Sequence, residues 1–241
     1  MSITMQNEER NKDKKLSGIL RHLIFGHFCA RAIRKSLHKS LLEAPINLDR
    51  RERVAVMKSI SQKSHEIMAS DRTRIIDPPS RGHLEWTAWI LSAYQVLRPR
   101  FDSDEEAIEF IGEASTRGFN TRMLRLGVWI LLRSCRDNLD QVKLLLGAGL
   151  RQYGVTFDWT IPQEEGEIRM EITQCFYVDF FRAHELPLLT TVLCRLDKLW
   201  FDHIDASKHG FWFDYARYKT MSRGAERCVF PIVAVTVGAS D

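Results

Sequence analysis

The sequence predicts an α+β fold: a helical N-terminal half, followed by an antiparallel sheet in the order strand-strand-helix-helix-strand-strand with helices on one face. Three observations carry this. Apolar residues recur at helical spacing through about the first 147 positions. After Gly149 the period changes to two. Two pairs of strand-like runs then bracket two further helical segments.

The elements follow in order. Residues 1–14 are polar, without periodic pattern, and are expected to be disordered. From Leu16 to Leu42 the apolar positions Leu16, Ile19, Leu20, Leu23, Ile24, Cys29, Ile33, Leu37 and Leu41 mark a helix, with Pro45 just beyond. A second amphipathic helix spans Arg51 to Met68. DPPSRG, at 77–82, reads as a break, and divides a basic helical extension over 1–80 from a main domain over 81–241. Helices are expected at 83–98 and 103–116, the latter with Ser103 as N-cap and Glu106 completing a capping box. One long helix is expected over 120–147. VTFDWTI and IRMEIT alternate around the polar loop PQEEGE, a first hairpin. Helices at 176–184 and 187–203 precede FWFDYARYKT and CVFPIVAVT, a second hairpin in which Pro231 requires an edge strand or a bulge. The aromatic residues Trp86, Trp89, Trp129, Trp159, Phe180, Phe181, Trp200 and Phe201 occupy core-like positions.

Composition narrows the function. Hydrophobic residues make up 44% and charged ones 27%, values ordinary for a globular protein. The net charge of +4 is concentrated in the first hundred residues, in runs such as RNKDKK and DRRER. Acidic residues interrupt those runs and no nucleic-acid module is recognisable, so no nucleic-acid partner is expected. The five cysteines (Cys29, Cys135, Cys175, Cys194 and Cys228) form no C-x-x-C pair, which argues against a disulfide framework or a zinc site. No apolar run resembles a signal peptide or a membrane span, and the chain is expected to be cytoplasmic, with neither cofactor nor metal. The apolar faces of the N-terminal helices are too broad for water, so they are expected to pack on the main domain or on a second copy of the chain.

Chemistry concentrates in the last third. Cys175 follows a strand and precedes a helix, where amide dipoles lower a thiol pKa. Asp179 stands one turn later, and His184 is either a proton carrier or a surface residue at the helix end. Cys194 and Asp197 share a helix face, and a carboxylate beside a thiol disfavours the thiolate. The simpler reading of that pair is a buried cysteine and a surface aspartate. In RYKTMSRGAERCVF, Thr220 opposite Cys228 would put both side chains on one face of the sheet. Arg217 then points to the other face unless a bulge turns it. It either stacks on Phe213 and Tyr215 or grips a carboxylate through paired hydrogen bonds.

These residues, in this order, resemble the L-2-amino-thiazoline-4-carboxylic acid hydrolase family: Cys175 with FYVDFF, LCRLD with Cys194 and Asp197, and the hairpin with Arg217, Thr220, Gly224 and Cys228, over about residues 168–232. The chain departs from the pattern at Phe176, where proline is expected. The resemblance implies a hydrolase acting on a carbon–nitrogen or carbon–sulfur bond of a small cyclic amidine, opening 2-aminothiazoline-4-carboxylate to a carbamoyl-cysteine. Under it, Cys175 or Cys194 would attack the electrophilic carbon and Asp197 would pair with the amidine nitrogen. Arg217 would hold the carboxylate, Thr220 would stabilise developing charge, and Cys228 and His184 would complete the pocket. A non-catalytic protein binding a small molecule in the same pocket is the alternative from a different class.

Overall fold

The computed structural model describes residues 35–37, 39–41, 48–120 and 122–235. The expected disordered start, most of the helix over Leu16–Leu42, and the self-association it would mediate lie outside them. Leu37 and Leu41 are described and are fully buried. From Arg50 onward the chain is a series of helices followed by a five-stranded antiparallel sheet with three helices inserted before its last two strands.

Helix α1 (Arg50–Ser70) starts on a reciprocal capping box, Asp49 with Glu52, which satisfies two otherwise orphaned amides. Its Val56, Ile60 and Ile67 enter the same core as α2 (Pro78–Leu97). The DPPSRG stretch is the start of α2 and not an open linker. Pro78 occupies the first helical position, where its missing N–H costs nothing, and Asp77 accepts from the Ser80 amide. The second oxygen of Asp77 accepts from the Val155 amide at 2.7 Å, which ties this cap to the approach to the sheet. Gly154 makes that contact possible: its φ is +76°, and a Cβ there would lie 2.1 Å from the Asp77 carboxylate.

Helix α3 (Asp104–Phe119) is capped by Ser103, as its sequence predicts, although Glu106 reaches the amide of Asp102 rather than that of the cap residue. The single helix expected over 120–147 is two, α4 (Arg122–Ser134) and α5 (Leu139–Leu150). The break is made by Asp137, in the left-handed region at φ +55°, and by Asn138, which caps α5 through the Gln141 amide. Short polar side chains compete with the helix for backbone hydrogen bonds, and two in succession end it. The Asp137 amide bonds instead to the carbonyl of His209.

Strands β1 (Phe157–Thr160), β2 (Gln163–Glu164) and β3 (Glu167–Cys175) form the first hairpin, and β4 (Phe211–Phe213) pairs with β5 (Cys228–Ala234) in the second. The order is β1-β3-β5-β4, with β2 also on β3, so the longest strand is central. One face packs on helices: Ile168, Met170, Phe211, Phe213, Phe230 and Ile232 are buried. The other face carries Glu167, Arg169 and Glu171 opposite Val233, Pro231 and Val229, the three charged residues being joined through ion pairs to Glu164, Arg217 and Arg227. One dry and one wet face is what alternation in an antiparallel sheet produces. Helices α6 (Phe176–Ala183) and α7 (Thr190–Phe201) lie between the strand pairs in sequence, and α8 (Ala206–His209) leads into β4. Phe201 of α7 stacks on Phe213 and Phe230 at ring separations of 4.4 and 5.2 Å. The guanidinium of Arg195 grips Glu109 of α3 through both nitrogens, over the space that Gly112 leaves open.

Not every aromatic residue is in the core. Trp129 and Trp200 are 46% and 41% exposed. Helical spacing puts both beside core positions, but each falls on a side of its helix that no described element covers.

Replacing Gly154 by alanine strains a positive-φ position and forces the Cβ into the Asp77 cap. We expect Gly154→Ala to lower unfolding stability by about 1–3 kcal/mol in urea titration. An unchanged midpoint would mean that this junction is not a fixed contact.

Candidate active site

The β3–α6 junction places the first thiol. Cys175 ends β3 with extended backbone angles and stands at the N-cap of α6. The amides of Tyr177 and Val178 favour its thiolate, although no capping hydrogen bond forms. His83 of α2 fixes this end of α6. One ring nitrogen lies 3.0 Å from the Tyr153 carbonyl and so must donate, which leaves Nδ1 to accept the Tyr177 hydroxyl at 2.9 Å. Tyr153, Phe157, Phe176 and Tyr177 surround the imidazole, and burial lowers its pKa to about 4, so it stays neutral.

Helix α7 supplies Cys194 and, one turn later, Asp197. The closing hairpin supplies the rest. Lys219 pairs with Val229, which sets Thr220 opposite Cys228, the register expected from the sequence. A short 3-10 turn, Met221–Arg223, ends at Gly224 with φ +88°. Its Ser222 hydroxyl accepts from the Cys194 thiol at 3.4 Å and lies 2.9 Å from the Thr220 hydroxyl. The Met221 amide donates to the Cys228 sulfur at 3.3 Å. Cys175, Cys194, Cys228, Asp197 and Tyr218 are close enough to bear on one another's ionisation. The described cysteines are all free thiols.

Burial dominates the electrostatics. It pushes the Cys175 thiol well above its ordinary value, Cys194 up to about 12 and Cys228 up to about 11, with the Asp197 charge adding to the last two. Arg223 acts on Cys194 in the opposite sense. Asp197 itself is raised to about 7 by burial alone. Among the described residues its carboxyl has no hydrogen-bond or ion-pair partner, so nothing offsets that desolvation. None of the thiols is a resting thiolate near neutrality, whereas Asp197 is poised to take or give a proton there.

Access is from one side of the 3-10 turn. A cleft of about 460 Å³ is lined by Val178, Arg182, Leu188, Thr190, Ser222 and Arg223, among others. A smaller one, about 300 Å³, lies against Tyr218, Lys219 and Thr220 and shares Arg223 and Gly224 with the first. Ser222 therefore connects the larger cleft to the Cys194 thiol, the least buried of the clustered cysteines.

Two residues expected at the site stand elsewhere. Arg217 lies on the open face of the sheet, 48% exposed, paired with Glu167 at 2.8 Å and with Asp214. Pro231 explains this. It has no N–H for β4, only its carbonyl is used, by the Asp214 amide, and the strand leaves the ladder there. Residues 214–216 are looped out before pairing resumes at Lys219, and Arg217 is turned onto the acidic side chains of the polar face. His184 is spent on α1: its Nε2 is 3.2 Å from Asp71, and its ring packs on Phe180. No sequence pattern marks His83, Tyr218, Ser222 or Arg223 individually. Ser222 and Arg223 lie inside the hairpin already marked, but a lone histidine in a helix gives no signal of an aromatic enclosure.

Among the described residues no group of three or more His, Cys, Asp or Glu side chains is arranged to hold a metal ion, and no helix is long and apolar enough to cross a membrane.

The family model described as L-2-amino-thiazoline-4-carboxylic acid hydrolase matches residues 83–232, well over half of the chain. The chain belongs to this family. The match runs from His83 to Ile232, so this member's thiol cluster, Asp197 and both clefts fall inside it, and α1 falls outside. No curated protein and no solved structure matches the chain.

The unpartnered Asp197 has a consequence for stability. Unfolded, its carboxyl titrates near 3.8, and folded near 7. Between those values the folded state holds a proton that the unfolded state has released. Its stabilising contribution is thus complete below pH 3.8 and is lost as pH rises to about 7, by up to about 4 kcal/mol. Asp197→Asn should flatten that decline and raise the urea midpoint at pH 8 relative to the parent. Parallel pH profiles for the two proteins would show that the carboxyl is not desolvated.

Proposed function

We propose that this protein hydrolyses a carbon–sulfur or carbon–nitrogen bond in a small cyclic amidine carboxylate of the thiazoline type, with Cys194 as nucleophile and Asp197 as the proton-transfer group. The observation that carries this is the unpartnered Asp197 carboxyl, raised to about 7, one helical turn from a thiol bonded to a cleft-lining serine.

The steps balance. Asp197 takes the Cys194 proton as sulfur adds to the amidine carbon. The ring bond from that carbon to sulfur or to nitrogen breaks, and the departing atom takes the proton back from Asp197. Water then adds to the carbon, loses a proton to Asp197, and displaces Cys194, which is reprotonated from the same carboxyl. The Ser222 hydroxyl stands beside the sulfur and can hydrogen-bond the charge that develops there, with the Thr220 hydroxyl hydrogen-bonded behind it.

Magnitudes permit this route. Moving a proton from a thiol at about 12 to a carboxylate at about 7 costs at most about 7 kcal/mol. A turnover of about ten per second corresponds to a barrier of about 16 kcal/mol. The real cost is lower than the difference suggests, because protonating Asp197 removes the negative charge that opposes the thiolate. The high thiol values also favour one variation, in which Asp197 deprotonates water directly and no covalent adduct forms. A thiol mechanism suits a reducing, cytoplasmic setting.

The test is turnover of 2-aminothiazoline-4-carboxylate. Asp197→Asn should lower kcat by about 10²–10⁴-fold, and the parent kcat/KM should rise as pH passes about 7, where the base ionises. Cys194→Ser should abolish the adduct that mass spectrometry detects after acid quench. Full activity in Cys194→Ser with loss in Asp197→Asn would select direct attack by water, and full activity in both would refute the assignment.

A further inference from the structure

We infer that Arg182, Arg223 and Thr190 form the anion-binding site of the larger cleft, the place where the substrate's carboxylate docks. Arg182 lies in the last turn of α6 and Arg223 closes the 3-10 turn of the hairpin, and both line the 460 Å³ cleft from different sides of the fold. Among the described residues neither guanidinium makes an ion pair or hydrogen bond, whereas Arg195 and Arg217 nearby in sequence are each committed to carboxylates. No acidic side chain lines the cleft, so the two charges are not neutralised locally.

Thr190 is the independent observation. It is 1% exposed, lines the same cleft, and its hydroxyl has no hydrogen-bond partner. A buried hydroxyl without a partner is unfavourable unless a ligand supplies one. A carboxylate fits all three groups: its roughly four acceptor positions can take bonds from the N–H edges of both guanidiniums and one from the hydroxyl. A phosphate or sulfate would offer the same acceptors with more charge.

The site also sets the orientation of the substrate. The Arg223 charge already acts on Cys194. The next residue back, Ser222, accepts the Cys194 thiol proton. An anion held by Arg223 therefore leaves the rest of a small ring lying toward that sulfur. The apolar side chains of Val178 and Leu188 in the same cleft suit a compact ring with a single charged group. The orientation rests on the hydrolase reading; the anion site does not.

The experiment uses the full chain with 2-aminothiazoline-4-carboxylate and its carboxamide, measured both by calorimetric binding and by turnover. The parent should bind the carboxylate at least tenfold more tightly than the carboxamide. Arg182→Gln and Arg223→Gln should each weaken carboxylate binding by about ten- to a hundred-fold, seen as a rise in KM, with kcat little changed in Arg182→Gln. Carboxamide binding should not move. Thr190→Val, which removes only the hydroxyl, should also weaken the carboxylate and leave the melting temperature equal or higher. Equal affinity of the parent for the two ligands, or unaltered carboxylate binding in the double arginine variant, overturns the site. Tight, arginine-dependent binding without turnover would uphold the anion site while removing the hydrolase reading.

Discussion

Among the described residues the sheet is covered by helices on one face only, and the electrostatics of the candidate site follow from that. Alternation sends Ile168, Met170, Phe230 and Ile232 under the helices and Glu167, Arg169 and Glu171 toward water. On the wet face charges find partners at once, in ion pairs with Glu164, Arg217 and Arg227 whose contribution to stability is small. On the dry face nothing solvates a charge. Cys228 belongs to that face by register, Cys175 arrives where β3 ends, and α7 presses Cys194 and Asp197 against them. Desolvation is therefore the first cause of every shift in the cluster.

The same constraint explains why three thiols and a carboxyl persist there without a metal-like arrangement or a disulfide. A thiol buried among apolar groups keeps its proton and behaves as a small hydrophobe. A carboxyl is less tolerant. Kept neutral it can donate, and ionised it needs donors; the Asp197 charge bears on the Tyr218 phenol, but no hydrogen bond among the described residues satisfies the carboxyl. His83 works from the other side. Being neutral and doubly bonded, it fixes the first turn of α6 without adding charge to a region where a cation would draw the thiols toward ionisation.

Much of this was legible in the sequence, and what was not has identifiable causes. Period-two alternation in IRMEIT, the change of period after Gly149, and the pairing of Thr220 opposite Cys228 all follow from local patterns that the fold preserves. Helical spacing gave Cys194 and Asp197 a common face, and they have one. The misplaced features depend on where a chain leaves regular structure. Asp137 and Asn138 split a helix whose apolar period continues on both sides. Pro231 was seen to require an irregularity, but whether the loop at 214–216 would turn Arg217 inward or outward depended on Glu167, fifty residues away. His184 was likewise claimed by Asp71, from a helix that the local sequence gives no reason to expect there. Partners distant in sequence decide which of several similar charged residues remain free.

That selection is the strongest reason to read Asp197 as functional. The chain has cations within reach of α7 in sequence and in space, and the fold commits none of them to this carboxyl. Arg195, two residues before it, is turned to the opposite side of the helix and held by Glu109. Arg223 acts on Cys194 and Tyr218, yet burial is the only influence on Asp197. An aspartate with a purely structural role would be stabilised by taking either cation, and a half-buried carboxyl without one costs stability at every pH where it ionises. Pairing would also lower its pKa and remove the basis for the proton-transfer role proposed for it near neutrality. An unfavourable arrangement that an ordinary ion pair would relieve, kept beside a thiol and a cleft, is the feature on which the proposed proton-transfer role rests.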